Sequence, residues 1–380
     1  MLVEYLFEIP PITFLLISVS LIILIIYSKG VNKQKPKTTT ESIPFEYVKV
    51  PEVSTTKKPI SILSYNIMSY NFTKLEWFPY VKSEYLYPKY RSPRIINEIE
   101  SVDADLLCLQ ECDNDLFTEF YKNILQEELG YKCITHPSTN PNKKNVINVI
   151  CYKAKQFTEL SIHIVDLNED LGKIDETFSK HKEALMVQLQ VKESKEKFVI
   201  ITTHLYWNPE FEYVRYGQIA KIISTAYKEF KNCPLFLCGD FNSNPKSTVL
   251  KYIYNEKPDL SENGAGLKGD ISRNKKFIEL INDNDSFKNP YSLRSAYDNY
   301  KILIDDKKKG KDYSENHPDF TTYSNEVVAT LDYIIYTDEN LEMVEVLKVP
   351  TNDEVIKKDK LPNKNFPSDH LKIGAKFVFK

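Results

Sequence analysis

Leu235-Phe236-Leu237-Cys238-Gly239-Asp240-Phe241-Asn242-Ser243-Asn244-Pro245 is an apolar run that breaks abruptly into polar residues. The run from Leu235 to Cys238 predicts a short buried strand, and Gly239 predicts its exit. That exit delivers Asp240 and Asn242 at the end of the strand, the edge where open α/β sheets build their sites. A carboxylate beside a neutral amide can hold a nucleophilic water while the amide donates to a developing oxyanion. The same residue types also suit an Asx-rich turn, so the surrounding chain has to decide between the two.

Immediately upstream, Ile219, Ile222, Ile223, Ala226, Tyr227 and Phe230 share one face of a predicted amphipathic helix over 218–230, which leads into that strand. Apolar runs at 60–65, 106–109, 146–152 and 197–203 predict further strands. A helix is expected to open at Pro93-Arg94, with Ile95, Ile99 and Val102 at i, i+4 and i+7. Strands alternating with helices predict an α/β sandwich.

Polar residues sit where these strands end. Asn66 closes the first, Glu111 closes the second after Gln110, and His204 follows Val199-Ile200-Ile201-Thr202-Thr203. Asp332 stands inside Thr330-Leu331-Asp332-Tyr333-Ile334, and Asp369-His370 precede a final strand. Each has a purely structural reading when taken alone: a capping Glu, a hydrogen-bonded core His, a buried Asp paired with a cation. Together they make an oxygen-rich acidic set suited to a hard cation such as Mg²⁺. With two histidines added, the set has the parts for metal-assisted phosphodiester hydrolysis.

Composition sets the outer limits. The 380 residues are 42% hydrophobic and 27% charged, a globular composition. A net charge of −3 excludes a global basic field, so any polyanion must be bound locally or through a metal. The six cysteines show no C-x-x-C pair and no zinc spacing, which predicts reduced core thiols in a reducing compartment. Residues 9–28 are uncharged and mostly Ile, Leu, Val and Phe, long enough at helical rise to cover about 30 Å of bilayer. Glu4 and Glu8 ahead of them, and no small-x-small site behind, predict a retained transmembrane helix rather than a cleaved signal. Lys29, Lys33, Lys35 and Lys37 behind the run place that side in the cytoplasm. The expected organisation is therefore an anchor over 1–29, a Pro- and Lys-rich flexible tether over 30–59, and one catalytic domain over 60–380. The expected localisation is single-pass membrane, with the catalytic domain facing the cytoplasm.

Six motifs, in order, resemble the endonuclease/exonuclease/phosphatase superfamily of Mg²⁺-dependent phosphodiesterases. They are Ser-Tyr-Asn-Ile (64–67), Leu-Gln-Glu (109–111), Thr-His-Leu-Tyr-Trp-Asn-Pro (203–209), Cys-Gly-Asp-Phe-Asn-Ser (238–243), Leu-Asp-Tyr-Ile (331–334) and Ser-Asp-His (368–370). The His-Leu-Tyr-Trp-Asn-Pro-Glu segment, Val214-Arg215 with Gln218, and the Phe-Pro-Ser-Asp-His ending resemble its deadenylase branch, which holds the general deadenylase catalytic subunit, nocturnin and the Angel proteins.

The resemblance implies a four-layer α/β sandwich, two packed β-sheets flanked by helices, here preceded by the expected transmembrane helix. It implies Mg²⁺ as cofactor, with Mn²⁺ as a substitute, held by Glu111, Asn66 and Asp369. Asp240 would orient or deprotonate the attacking water, and Asn242 and His204 would contact the phosphate. His370 paired with Asp332 would stabilise the transition state, and Asn208, Pro209 and Arg215 would contact substrate. The implied function is a membrane-anchored 3′ exoribonuclease of the deadenylase type, with the RNA 3′ end and the membrane as partners. The alternatives keep the chemistry and change the substrate to 2′,5′-oligoadenylate, cyclic-phosphate ends, dinucleotide phosphates or phospholipid headgroups; a catalytically dead binding protein is the remaining one.

Three departures qualify the resemblance. Val327-Val328-Ala329 stand where deadenylases carry Phe-Lys-Gly, whose Phe stacks on an adenine, so cleavage is implied more firmly than a poly(A) preference. Thr202 stands where Asn is common. The leucine-rich repeats of the general deadenylase are absent from the sequence, so no repeat-mediated complex is expected.

Overall fold

Two sheets carry the fold, and in each a single parallel pair fixes where polar residues emerge. The computed structural model describes residues 45–380 apart from 52, 54, 137–145, 232, 259, 261–267, 306–309 and 357–359. The first sheet has seven strands in the order β1 (Tyr47–Lys49), β14 (Leu341–Leu347), β15 (Ile373–Phe379), β2 (Ile60–Asn66), β3 (Leu106–Asp113), β5 (Val146–Lys153), β4 (Tyr131–Ile134). The second has six in the order β10 (Leu293–Ser295), β13 (Asp332–Thr337), β9 (Leu235–Asp240), β8 (Lys197–His204), β7 (Glu183–Val191), β6 (Phe157–Asp166). A ribbon of β11 (Thr322–Tyr323) and β12 (Val328–Ala329) stands apart from both.

The parallel pairs are β2 with β3 and β8 with β9. Parallel neighbours need a long crossover. Here the crossovers contain the helix Pro88–Val102 and the helix Glu212–Phe230 respectively. Both strands of a parallel pair end at the same edge, so Asn66 lies level with Gln110 and His204 is the direct partner of Asp240.

Side chains alternate between two cores, as a strand period of two requires. Ile62, Leu106, Cys108 and Ile150 of the first sheet meet Leu185, Ile200, Phe236, Cys238 and Ile334 of the second in a shared central core. Their sequence neighbours point outward. Leu63 and Leu107 pack against Ile95, Ile96 and Ile99 of one helix, and Ile201 and Leu237 against Ile219, Ile222 and Ile223 of the other. Helix, sheet, sheet, helix is the expected four-layer sandwich.

Several expectations need correction. The first helix begins at Pro88, not at Pro93-Arg94, and Pro93 lies inside it. Pro88 suits the first turn, where no amide is needed, so the earlier proline is the true start. Tyr47–Lys49, within the stretch read as a tether, pairs antiparallel with β14. Cys133 and Cys151, direct partners across β4 and β5, are joined as a disulfide, whereas Cys108, Cys112, Cys233 and Cys238 are free thiols as read.

The membrane expectation is also corrected. The apolar run at 9–28 lies outside the described residues, and among the described residues no helix is long and apolar enough to cross a membrane. The helix Glu212–Phe230 has 19 residues, but Glu212, Arg215, Lys221, Lys228 and Glu229 interrupt it. The transmembrane helix, the single-pass cytoplasm-facing localisation and the membrane partner therefore have no structural support and are withdrawn.

Candidate active site

Asp240 ends β9 and Asp332 begins β13, and the two are direct partners across an antiparallel pair. His204 faces Asp240 from the other side, from the end of β8. This three-strand edge depends on Gly239. Its φ is +142°, and a Cβ there would lie 2.0 Å from the carbonyl oxygen of Thr203. Only glycine lets β8 and β9 close up and set His204 beside Asp240.

The first sheet brings the opposite wall. Pairing of β3 with β5 shifts register between Leu109 and Cys112, so Gln110 and Glu111 occupy a bulge. Glu111 takes a left-handed φ of 57° there, and bulges of this kind re-aim a side chain at the end of a strand. Its Oε2 accepts from the Ser69 amide at 2.9 Å, and its Oε1 accepts from Asn66 Nδ2 at 3.2 Å. The same Asn66 Nδ2 donates to Asp240 Oδ2 at 3.1 Å, so the amide bridges the two sheets.

Asp240 Oδ2 is the hub. His204 Nε2 lies 3.6 Å from it on one side and His370 Nε2 lies 3.6 Å on the other. His370 is held from behind by Asp332, whose Oδ2 is 2.8 Å from His370 Nδ1. Thr321 Oγ1 donates to the same Oδ2 at 2.5 Å. Asp332 Oδ1 is buried with no hydrogen-bond partner.

The two imidazoles are pushed in opposite directions. Burial lowers the basicity of His370, but the carboxylates of Asp332 and Asp240 outweigh it and hold the ring protonated, well above the usual range. His204 is also near carboxylates, 3.7 Å from Glu111 Oε1, yet burial, with Lys182 and His370 adding to it, holds its ring neutral. Burial pushes the Asp240 carboxyl up to about 6, with His370 pulling the other way. Burial and the nearby charge of Asp369 push Glu111 up to about 7.

Desolvated carboxylates crowded at one sheet edge, one with an orphaned oxygen, are a donor set that a divalent cation relieves. Asp240, Asp332 and His370 each offer a ligand atom, all within 4.8 Å of one another, in the group among the described residues able to hold a metal. That set is consistent with Mg²⁺-dependent catalysis. The ligands implied by resemblance, Glu111 and Asn66, stand against it through the Asn66 bridge. Asp369 stands next in sequence to His370, and its carbonyl accepts from Thr322 Oγ1 at 2.9 Å.

Asn242 adjoins the hub, and Arg215, Asn208 and Pro209 lie on the segment that follows His204. Asn242 has a left-handed φ of 49°, and its amide nitrogen donates to Leu205 O at 3.1 Å while its backbone N–H caps Asp240 Oδ1 at 2.9 Å. Arg215 lies beneath the 206–209 loop with its side chain only 3% exposed, and donates to Glu212, Ser243 and the loop carbonyls. Asn208 is half-buried and Pro209 is exposed on that loop.

Arg91 and Thr321 have no place in the sequence-derived set, and Ser368 enters it only as part of a motif. Arg91 is buried and donates to the carbonyls of Ile67, Met68 and Pro367, fastening the Asn66 turn to the Ser-Asp-His segment. It lies four residues before Ile95 on the same helical stripe, so a charge in an apolar row was the available signal. Ser368 Oγ donates to the Asn66 carbonyl at 2.7 Å. Thr321 offered no signal at all. Thr202, unexplained by the resemblance, accepts from Gln110 Nε2 at 2.9 Å and so joins the sheets behind the site.

Comparison with known proteins agrees with this geometry. Residues 63–370 match the model of the Endonuclease/Exonuclease/phosphatase family. The CCR4-Not complex 3′-5′-exoribonuclease subunit Ccr4 of Yarrowia lipolytica is 27% identical over 84% of this chain and 48% of its own length. Its Saccharomyces cerevisiae counterpart is 26% identical over 85% of this chain and 39% of its own length. The chain thus spans about half or less of these curated relatives. The crystal structure of ANGEL2, a 2′,3′-cyclic phosphatase, superposes with a TM-score of 0.70 at 26% identity, covering 89% of this chain and 99% of that one. The human Nocturnin catalytic domain shares the fold with a TM-score of 0.60 at 21% identity, over 92% of this chain and 100% of that one.

Proposed function

The chain belongs to the endonuclease/exonuclease/phosphatase family, and we propose that it is a Mg²⁺-dependent phosphodiester hydrolase that removes nucleotides from RNA 3′ ends. The observation that carries this reading is the convergence on Asp240 Oδ2 of a neutral and a cationic imidazole and the Asn66 amide. A site of this kind presents a proton acceptor to water and positive charge to a phosphate.

In this reading Asp240 takes a proton from water as the water oxygen bonds to phosphorus. The bond from phosphorus to the 3′ oxygen of the preceding nucleotide breaks, that oxygen takes a proton from solvent, and a nucleoside 5′-phosphate is released. His370, kept cationic and oriented by Asp332, stabilises the charge gathering on the non-bridging oxygens. His204, neutral, donates a hydrogen bond to the phosphate from the opposite wall. A Mg²⁺ ion, which the carboxylates of Asp240 and Asp332 with Glu111 beside them would hold, would supply further charge neutralisation at the phosphate. The similarity to Ccr4 subunits, which are named as 3′-5′-exoribonucleases, supports the choice of RNA.

A second reading has its own support. ANGEL2 is described as a 2′,3′-cyclic phosphatase, and its structure is similar over 89% of this chain. A 2′,3′-cyclic phosphate is also a phosphodiester, so the same water attack would open it. The test uses the full chain with Mg²⁺ and 5′-labelled RNAs ending in either a 3′ hydroxyl or a 2′,3′-cyclic phosphate, with Asp240→Ala as control. A Mg²⁺- and Asp240-dependent ladder from the hydroxyl-ended RNA supports exonuclease action. Ring opening without shortening selects the second reading, and no reaction on either RNA rejects both.

A further inference from the structure

Trp207 lies three residues beyond His204, and its side chain is exposed, at 65% relative accessibility. Its backbone is not loose. Arg215 Nη1 donates to the carbonyls on both sides of it, Tyr206 O at 3.2 Å and Asn208 O at 2.5 Å. The Tyr206 amide in turn donates to Gln218 Oε1 at 3.0 Å. A loop pinned at both flanks from a buried helix therefore presents the indole to solvent, three residues along the chain from His204. An indole held out from a fastened loop offers a flat face on which a base can stack.

The charge around it indicates which ligand. Lys180 Nζ lies 5.2 Å from the Tyr206 ring and 4.9 Å from the Phe211 ring, on the two residues that bracket the Trp207 segment. The turn that carries Lys180 is itself fixed, because Asn168 Oδ1 accepts from the amides of Lys180 and His181 at 2.8 and 2.6 Å. That turn feeds β7, whose Ala184 pairs with Thr203, so Lys180 and Lys182 border the strand end that delivers His204. A cationic rim beside a flat exposed aromatic suits a single strand of nucleic acid, with phosphates along the lysines and a base on the ring.

We propose that Trp207 is the stacking platform for a nucleobase next to the scissile phosphate, with the Lys180–Lys182 turn taking the adjoining backbone phosphate. The proposal rests on the phosphodiesterase reading of the same site and names how that site selects a single-stranded nucleic acid. Trp207 acts on substrate position and not on bond making, so its signature is in KM more than in kcat.

The sequence holds two tryptophans, Trp77 and Trp207, which makes a direct readout available. In full-length Trp77→Phe protein Trp207 is the sole indole. Its emission is followed while a short oligoadenylate, or an abasic sugar-phosphate oligomer of equal length, is titrated in with Ca²⁺ in place of Mg²⁺. The expected result is quenching by oligoadenylate and little by the abasic oligomer. Trp207→Ala should raise KM for RNA about tenfold or more, with a much smaller change in kcat, and Trp207→Phe should recover most of the loss. Equal quenching by both oligomers, or unchanged emission where wild type is saturated with RNA, overturns the proposal. If wild type cleaves RNA while Trp207 stays silent, only this inference fails. If wild type neither binds nor cleaves RNA, the functional reading fails with it.

Discussion

Asp240 and Asp332 face each other as direct partners across β9 and β13, and one imidazole, His370, lies between their carboxylates at 3.6 and 2.8 Å. Two buried carboxylates on adjacent strands would repel; His370 turns that repulsion into a fixed cation. In the proposed mechanism Asp332 is thereby a positioning residue that acts through His370.

Replacing Asp332 by Asn preserves shape and leaves Thr321 able to hydrogen-bond the side chain, but removes the charge that keeps His370 protonated. The expected outcome is a fall in kcat of about 10²- to 10⁴-fold, with a small change in Tm. Because the two act as one unit, Asp332→Asn combined with His370→Ala should cost little more than His370→Ala alone. Additive losses in single-turnover rates would separate the pair.

Glu111 is a desolvated carboxyl under the charge of Asp369, so neutralising it relieves burial cost and repulsion when no metal is bound. Glu111→Gln should melt at or above the wild-type temperature in chelator. Wild type should gain stability on adding Mg²⁺, by about 2.7 kcal/mol at a hundredfold excess over Kd, and the variant should gain much less. A thermal melt with and without Mg²⁺ reads both effects, and an undiminished Mg²⁺ shift in the variant would remove Glu111 from the metal site.

A second titratable pair lies behind β13. Burial pushes the Asp298 carboxyl up to about 7, against hydrogen bonds from Tyr254 OH and the Ser295 amide. His317 Nε2 is 3.5 Å away, and burial lowers that ring to about 4. An unfolded Asp titrates near 3.9. Asp298 therefore takes stability away as pH rises between roughly 4 and 7, while His317, whose unfolded ring titrates near 6.5, returns it between roughly 4 and 6.5. The pair is thus nearly level until Asp298 acts alone near pH 7. Asp298→Asn keeps a neutral group there, its amide free to turn toward His317. Urea melts of this variant should show stability rising with pH between roughly 5 and 7, where wild type is nearly level, and an identical slope would contradict the assignment.

Much of this architecture could be read from residue order, and the reason is local. A buried strand is a short apolar run, and a polar residue closing such a run is conspicuous, which is how Asn66, Glu111, His204 and Asp240 came forward. What joins them is not local. The bulge that turns Glu111 inward depends on pairing with β5, and the placement of Asp332 opposite Asp240 depends on register between strands far apart in the chain. Thr321 and Ser368 act through single hydroxyls that no periodicity marks. The proline that opens the first helix was misread because two prolines, Pro88 and Pro93, compete for the role.

Arg215 is tied to the site through the loop it holds. Its guanidinium is paired to Glu212 Oε2 at 2.6 Å with both side chains buried, and its remaining donors hold Ser243 and the carbonyls around Trp207. Arg215→Ala would leave the Glu212 carboxylate buried without its cation, a change that costs about 3–5 kcal/mol in comparable pairs. It would also release the loop that fixes Trp207, so KM for RNA should rise alongside the drop in Tm. Arg215→Lys restores the charge but not the fork that reaches several carbonyls at once; it should regain part of the stability and little of the KM. A direct contact with substrate would give the opposite pattern in melts and initial rates: Tm close to wild type in both variants, and KM largely restored by lysine.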